Sequence, residues 1–140
     1  MLVGVLALQG DVREHTAAVA RLGARTALDR LPRDLEGLDA LVVPGGESTT
    51  SGMLAERYGL IDPLRERIAG GLPTLGTCAG MIVLAGGTTG PKDQPQLGVL
   101  DVVVERNAFG RQVESFEADL VVAGFDEPMR AVFIRAPWVH

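Results

Sequence analysis

The sequence predicts an α/β fold in three layers, with a mostly parallel sheet flanked by helices and an antiparallel extension. Two observations give the parallel part. Apolar, β-rich runs at 2–8, 38–43 and 73–77 each lead into a glycine-containing loop and then into helix-like material. Three strand–loop–helix units in series imply a parallel sheet, because parallel neighbours must be joined by crossovers. A third observation gives the extension: after Gly86 the helical periodicity stops, and strand-like runs follow at 97–104, 114–122 and 131–135 with short connections. With 140 residues, 46% hydrophobic and 22% charged, residues 1–140 read as a single domain with one core.

Leu2-Val3-Gly4-Val5-Leu6-Ala7-Leu8 is continuously apolar up to Gln9-Gly10, as expected of a central strand covered on both faces. Asp11 is placed to cap the next helix, in which Val12, His15, Val19 and Leu22 recur at helical spacing before Gly23 stops it. A second strand is expected over 24–28. The run at 38–43 enters Pro44-Gly45-Gly46-Glu47-Ser48-Thr49-Thr50, a loop leading into a helix whose start Ser48, Thr49 and Thr50 suit as caps. Residues 54–69 read as helical material interrupted near Gly59 and Pro63, with Gly70-Gly71 before the strand at 73–77. Residues 87–96, rich in Gly, Thr and Pro, read as a surface loop. The loops at 9–11, 45–49 and 77–80 all follow strands, so they open on one sheet edge, where ligands bind in such folds. There is no internal repeat and no low-complexity segment.

Composition narrows the function classes. A net charge of −5, with Lys92 the single lysine, argues against a general nucleic-acid surface. No apolar run approaches bilayer length and no secretory signal opens the chain, so a cytoplasmic, non-membrane protein is expected. One cysteine forms no internal disulfide, which suits a reducing compartment.

That cysteine, Cys78, lies in Gly76-Thr77-Cys78-Ala79-Gly80, between a short apolar run and helix-like residues. In a nucleophile elbow, tight curvature between strand and helix leaves room only for small neighbours. A thiolate at a helix start is favoured by the peptide dipole, and backbone N–H groups there can face a reacting carbonyl. Thiolate attack on an amide needs donors for the developing oxyanion, and the N–H of Ala79 and an amide of Gly45-Gly46 are candidates. From the short motifs alone, a buried inert cysteine and an ordinary glycine turn are the readings to be overcome.

Beyond these short signals, Gly4-Val5-Leu6-Ala7-Leu8-Gln9-Gly10, Val12-Arg13-Glu14-His15, Pro44-Gly45-Gly46-Glu47-Ser48-Thr49-Thr50, Gly76-Thr77-Cys78-Ala79-Gly80, the stretch from Val104 to Gln112, Glu114-Ser115-Phe116-Glu117 and Phe133-Ile134-Arg135-Ala136-Pro137 resemble, in order, the glutaminase subunits of pyridoxal 5'-phosphate synthase. These form a class I glutamine amidotransferase family with a flavodoxin-like sheet. The resemblance implies hydrolysis of L-glutamine to glutamate and ammonia, the ammonia passing to a separate synthase subunit. It also implies neither cofactor nor metal. It makes Cys78 the nucleophile, with a γ-glutamyl thioester intermediate, and Gly46 and Ala79 the oxyanion donors. Gly46, Glu47, Ser48, Arg106, Ile134 and Arg135 match the family's glutamine contacts. An arginine fork suits an α-carboxylate and a carboxylate such as Glu47 suits an α-ammonium, while Glu47 also fits the bland reading of an acid at a helix start. Arg111 reads as a surface charge or partner contact and stays outside this set. Gly45-Gly46 is expected to act as a switch, two glycines permitting a peptide reorientation that brings the Gly46 N–H into or out of the oxyanion site.

The chain departs from the family at the base that a cysteine nucleophile needs. The family uses a His-Pro-Glu motif near its C-terminus, and neither His15 nor His140 matches it. His15 reads as a helix-face or interface residue, and His140 is the terminal residue. The C-terminal part of the fold is therefore expected to be absent, the chain reading as a fragment whose longer form supplies His and Glu. The alternative to an enzyme is a catalytically inactive fragment or binding module that keeps the synthase interface.

Overall fold

The computed structural model describes residues 1–89 and 94–140. Strands β1 (Leu2–Leu6), β2 (Arg25–Asp29), β3 (Ala40–Val43) and β4 (Thr74–Gly76) form a wholly parallel sheet in the order β2-β1-β3-β4. Helix α1 (Val12–Arg21) covers one face, where Val12 and Val19 pack against Val3, Val5 and Val42. Helices α2 (Ser48–Arg57), α3 (Ile61–Ala69) and α4 (Ala79–Leu84) cover the other, around Leu6, Leu41, Val43, Leu60, Leu64 and Val83. Alternate residues of β1 and β3 thus serve opposite cores, as the period of a strand requires.

The order in which strands are added reverses between β1 and β3: the crossover from β1 reaches β2 on one side and that from β3 reaches β4 on the other. Open α/β sheets bind ligands at such a switch point, beyond the carboxyl ends of the strands.

The observed elements sharpen several expectations. β1 ends at Leu6 rather than residue 8, and β2 runs one residue later than expected. The helical stretch at 54–69 is two helices, because the chain turns through a positive φ of 67° at Gly59; Pro63 lies in the first turn of α3, where its missing N–H costs no helical hydrogen bond. Asp11 occupies the N-cap position of α1 but its side chain makes no capping hydrogen bond.

The extension is only partly antiparallel. β5 (Ala85–Thr88) pairs in parallel with β6 (Leu100–Glu105), which pairs antiparallel with β9 (Trp138–Val139), while β7 (Phe116–Leu120) and β8 (Met129–Phe133) form an antiparallel hairpin. β5 occupies the start of the stretch read as a loop, its Gly86-Gly87 pair hiding the strand signal; residues 90–93 of that loop lie outside the described residues. Residues 97–99 are not strand, though the N–H groups of Leu97 and Val99 bond to the carbonyls of Val83 and Leu84. Phe109, Phe116, Phe133 and Trp138 gather with ring centroids 4.7–5.9 Å apart and tie the hairpin to β9.

Candidate active site

Three loops converge at the carboxyl edge of the sheet: 7–11 after β1, 44–47 after β3 and 77–78 after β4. Their approach is close because it is made by glycines. A Cβ on Gly10 would overlap the Gly45 carbonyl oxygen, one on Gly46 would meet the Gln9 side-chain amide, and one on Gly80 would overlap the Val43 carbonyl. Gly76 has the same constraint against Leu84 and the backbone of Gly80. The small residues around Cys78 are therefore required by packing at the bend.

Cys78 has φ 47° and ψ −108°, a strained conformation for a residue with a side chain, and it is exposed. It immediately precedes α4, so Ala79 opens that helix and its N–H has no intrahelical acceptor. A Cβ on Gly45 would lie 3.5 Å from the Cβ of Cys78, which places the glycine pair directly beside the thiol. The reading of Cys78 as a buried, inert residue fails on its exposure.

The glycine pair is held from both sides. The Gly45 N–H donates to Thr77 Oγ1 at 2.9 Å, the Asp11 N–H donates to the Gly45 carbonyl at 3.1 Å, and the Glu47 N–H donates to Gln9 Oε1 at 3.0 Å. The Gly46 N–H finds no acceptor among the described residues. β3 lies between β1 and β4, and the Gly45 carbonyl points toward the β1 side. In a trans peptide the N–H points opposite to the C=O, so the Gly46 N–H points toward the β4 side, where Cys78 stands. Gln9 Nε2 also donates to the Ser51 hydroxyl, fastening the loop after β1 to α2.

Glu47 is the N-cap of α2, the role that Ser48, Thr49 and Thr50 were expected to fill. Its carboxylate accepts from the N–H groups of Thr49 (3.0 Å) and Thr50 (2.7 Å) and from the Thr50 hydroxyl (2.7 Å). Partial burial pushes the Glu47 carboxyl up, but the hydrogen bonds from Thr50 and Thr49 outweigh it and hold the pKa at about 2. Arg106, at the end of β6, reaches the same carboxylate at 3.3 Å. Ser48 is buried, and its hydroxyl donates to Gln94 Oε1.

Ile134 and Arg135 follow β8, with Arg135 at φ 47° and its Nε donating to Asn107 Oδ1 at 3.2 Å. Asn107, next to Arg106, also has a positive φ of 54°. Glu47, Arg106, Asn107 and Arg135 therefore form a continuous polar run leading away from the glycine pair. A cavity of about 470 Å3 adjoins its far end, lined by Asn107, Gly110, Arg111, Gln112 and Arg135. Arg111, left out of the expected site, is thus part of that cavity's wall. His140 faces Glu105 at 3.2 Å, and the ring of His15 bonds to Thr77 and to the Asp11 carbonyl. Among the described residues neither histidine is a hydrogen-bond partner of the Cys78 thiol. Gln9, Asp11, His15 and Thr77 were not read as site residues from the sequence; their position in or beside the loops after β1 and β4 was the available signal. Among the described residues, no group of three or more His, Cys, Asp or Glu is placed to hold a metal ion, and no helix is long and apolar enough to cross a membrane.

The pattern of the SNO glutamine amidotransferase family matches residues 5–140. The chain belongs to that family. It is 60% identical over 140 residues to the pyridoxal 5'-phosphate synthase subunit PdxT of Parafrankia sp. (strain EAN1pec), covering 99% of this chain and 69% of the relative. A PdxT of Roseiflexus sp. (strain RS-1) is 58% identical over 139 residues, covering 98% of this chain and 74% of the relative. Among solved structures, one described as a glutamine amidotransferase superposes with a TM-score of 0.91 at 59% identity, over 96% of this chain and 71% of that one. PurLQS from Thermotoga maritima, at 14% identity and a TM-score of 0.62, shares the fold alone. The α/β architecture of the SNO family is thus the one the sequence predicts.

Proposed function

We infer that this chain is the glutaminase subunit of pyridoxal 5'-phosphate synthase, hydrolysing L-glutamine and delivering the ammonia to the synthase subunit for vitamin B6 biosynthesis. The observation that carries the reading is an exposed, strained Cys78 beside the Gly45-Gly46 turn, in a chain 60% identical to a PdxT protein. Residues 1–140 are read as one glutamine amidotransferase domain, working in the cytoplasm.

In the proposed mechanism the Cys78 thiolate attacks the side-chain amide carbon of glutamine, forming a C–S bond and moving the carbonyl electron pair onto oxygen. The N–H groups of Gly46 and Ala79 receive that oxyanion. Collapse re-forms the carbonyl and breaks the C–N bond, the nitrogen leaving as ammonia with a proton gained from a general acid. Water then attacks the γ-glutamyl thioester, releasing glutamate and the thiolate. Glu47, Arg106, Ile134 and Arg135 line the approach for the amino-acid end of the substrate, with Gly46 and Ser48 contributing backbone groups. Arginine forks suit its α-carboxylate, and the Glu47 carboxylate, ionised down to about pH 2, suits its α-ammonium.

The test is ammonia release from L-glutamine by the complete gene product mixed with the synthase subunit. Activity lost in Cys78→Ala supports the reading, and no release by the unaltered protein sinks it. The alternative, an inactive binding module, predicts synthase binding without ammonia release.

A further inference from the structure

Four residues near the thiol close a ring of hydrogen bonds. The Asp11 N–H donates to the Gly45 carbonyl at 3.1 Å, and the Gly45 N–H donates to Thr77 Oγ1 at 2.9 Å. Thr77 Oγ1 lies 2.9 Å from His15 Nε2, and His15 Nδ1 lies 2.7 Å from the Asp11 carbonyl oxygen. A carbonyl only accepts, so His15 Nδ1 carries the proton, and in the neutral ring Nε2 is then an acceptor. The Thr77 hydroxyl consequently donates to His15 and keeps its lone pairs for the Gly45 N–H. Every donor in the ring meets one acceptor, and the direction is the same all the way round.

We propose that His15 and Thr77 are positioning residues of the glutaminase, fixing through this ring the peptide that aims the Gly46 N–H toward Cys78. The proposal rests on the glutaminase reading and deepens it. Gly45 has no side chain to anchor it, so its N–H and C=O are the only handles by which its peptides can be oriented. The ring takes both. The Gly45 carbonyl shares a plane with the Gly46 N–H, so holding the one at Asp11 sets the direction of the other. Thr77 is itself fixed at the end of β4, its N–H donating to the Val43 carbonyl and its carbonyl accepting from Gly80. The same residue therefore locates the oxyanion loop and the bend that presents the nucleophile, and His15, from α1, sets the rotamer of its hydroxyl.

The experiment uses the complete gene product assayed with its synthase subunit. Thr77→Val, which keeps the shape and removes the hydroxyl, is expected to lower kcat for glutamine hydrolysis about 10- to 100-fold with KM near the wild-type value. Thr77→Ser is expected to restore most of the rate. His15→Leu lowers kcat less and adds nothing in the Thr77→Val background, because it acts through that hydroxyl. Alkylation of Cys78 by iodoacetamide, which develops no oxyanion, proceeds at the same rate in all of them. A kcat for Thr77→Val within about twofold of an active wild type, or independent multiplying effects of the two substitutions, overturns the proposal. Wild-type protein that releases no ammonia overturns the glutaminase reading and this proposal with it. Should Thr77→Val fail to fold, amide exchange in the wild-type complex decides: a protected Gly45 N–H upholds the ring and a freely exchanging one overturns it.

Discussion

The Glu47 carboxylate caps α2 and at the same time meets the Arg106 guanidinium 3.3 Å away. The start of a helix on the parallel sheet is thereby joined to the end of a strand in the extension, and two groups expected to face the two opposite charges at the amino-acid end of a substrate face each other. With both groups partly solvated, the pair contributes little stability by itself. Its value is geometric, since a zwitterionic amino acid can insert its ammonium and carboxylate between the two partners without leaving either unpaired.

Glu47→Gln is expected to weaken the cap by about 1 kcal/mol and to raise KM for glutamine. The folded carboxyl titrates near 2 against 4.5 for the free group, so its contribution to stability is complete above about pH 4.5 and is lost as pH falls toward 2. Acid unfolding followed by circular dichroism should show a flatter pH response over that window in the variant; an unchanged response would count against the cap.

Asp29 is fully buried in β2 beside Gly4, and neither carboxylate oxygen has a hydrogen-bond partner among the described residues. Burial, with Asp34 adding to it, pushes its pKa up to about 7 from 3.8. A raised acid favours folding when protonated, so its stability contribution is complete below about pH 4 and is lost as pH climbs to about 7. Asp29→Asn should be more stable than wild type at pH 8 by on the order of 2–4 kcal/mol and nearly equal at pH 4. Chemical denaturation at both pH values measures the difference, and equal gaps would refute the burial argument.

Cys78 adopts a backbone conformation that disfavours a side chain. Cys78→Gly should abolish hydrolysis while raising stability by about 1 kcal/mol, the strain being relieved. Calorimetry showing a lowered melting temperature would contradict it.

Gly46 at φ 141° leaves no room for a Cβ beside the Gln9 amide. Gly46→Ala should reduce kcat by about 10²–10³ with Cys78 still open to alkylation. In the chain alone the Asp11 N–H already donates to the Gly45 carbonyl, which counts against the expected switch at the glycine pair; equal exchange of that N–H with and without the synthase subunit would rule the reorientation out, and protection that rises on binding would restore it.

The catalytic edge was legible because its signals are local: three apolar runs each stop at glycine, and the small residues around Cys78 announce the bend. Partners distant in the chain were not legible. His15 meets Thr77 across 62 positions and Ser48 meets Gln94 across 46, so no spacing rule joins them. Ser48, Thr49 and Thr50 have the composition of caps, yet a longer acidic side chain one residue earlier reaches two N–H groups at once and takes the role. In the extension, the glycines of β5 and the two-residue length of β9 left almost no propensity to read. The residues leading into β6 are held against the end of α4, which leads into β5, by the N–H groups of Leu97 and Val99, a placement that neither strand's own pattern announces.

The glycine contacts among the three loops have a consequence for how this surface tolerates change. Its accuracy comes from subtraction, since the loops after β1 and β3 meet main chain to main chain at Gly10, Gly45 and Gly46, and α4 meets the end of β3 the same way at Gly80. Replacing a charged group such as Arg106 removes one interaction and leaves the scaffold standing. Adding a single methyl at Gly10 pushes its loop off Gly45, and one at Gly80 pushes α4 off the end of β3, displacing Cys78 and the amides beside it together. A saturation scan of the molecule should therefore record its deepest intolerance at positions that carry no functional group.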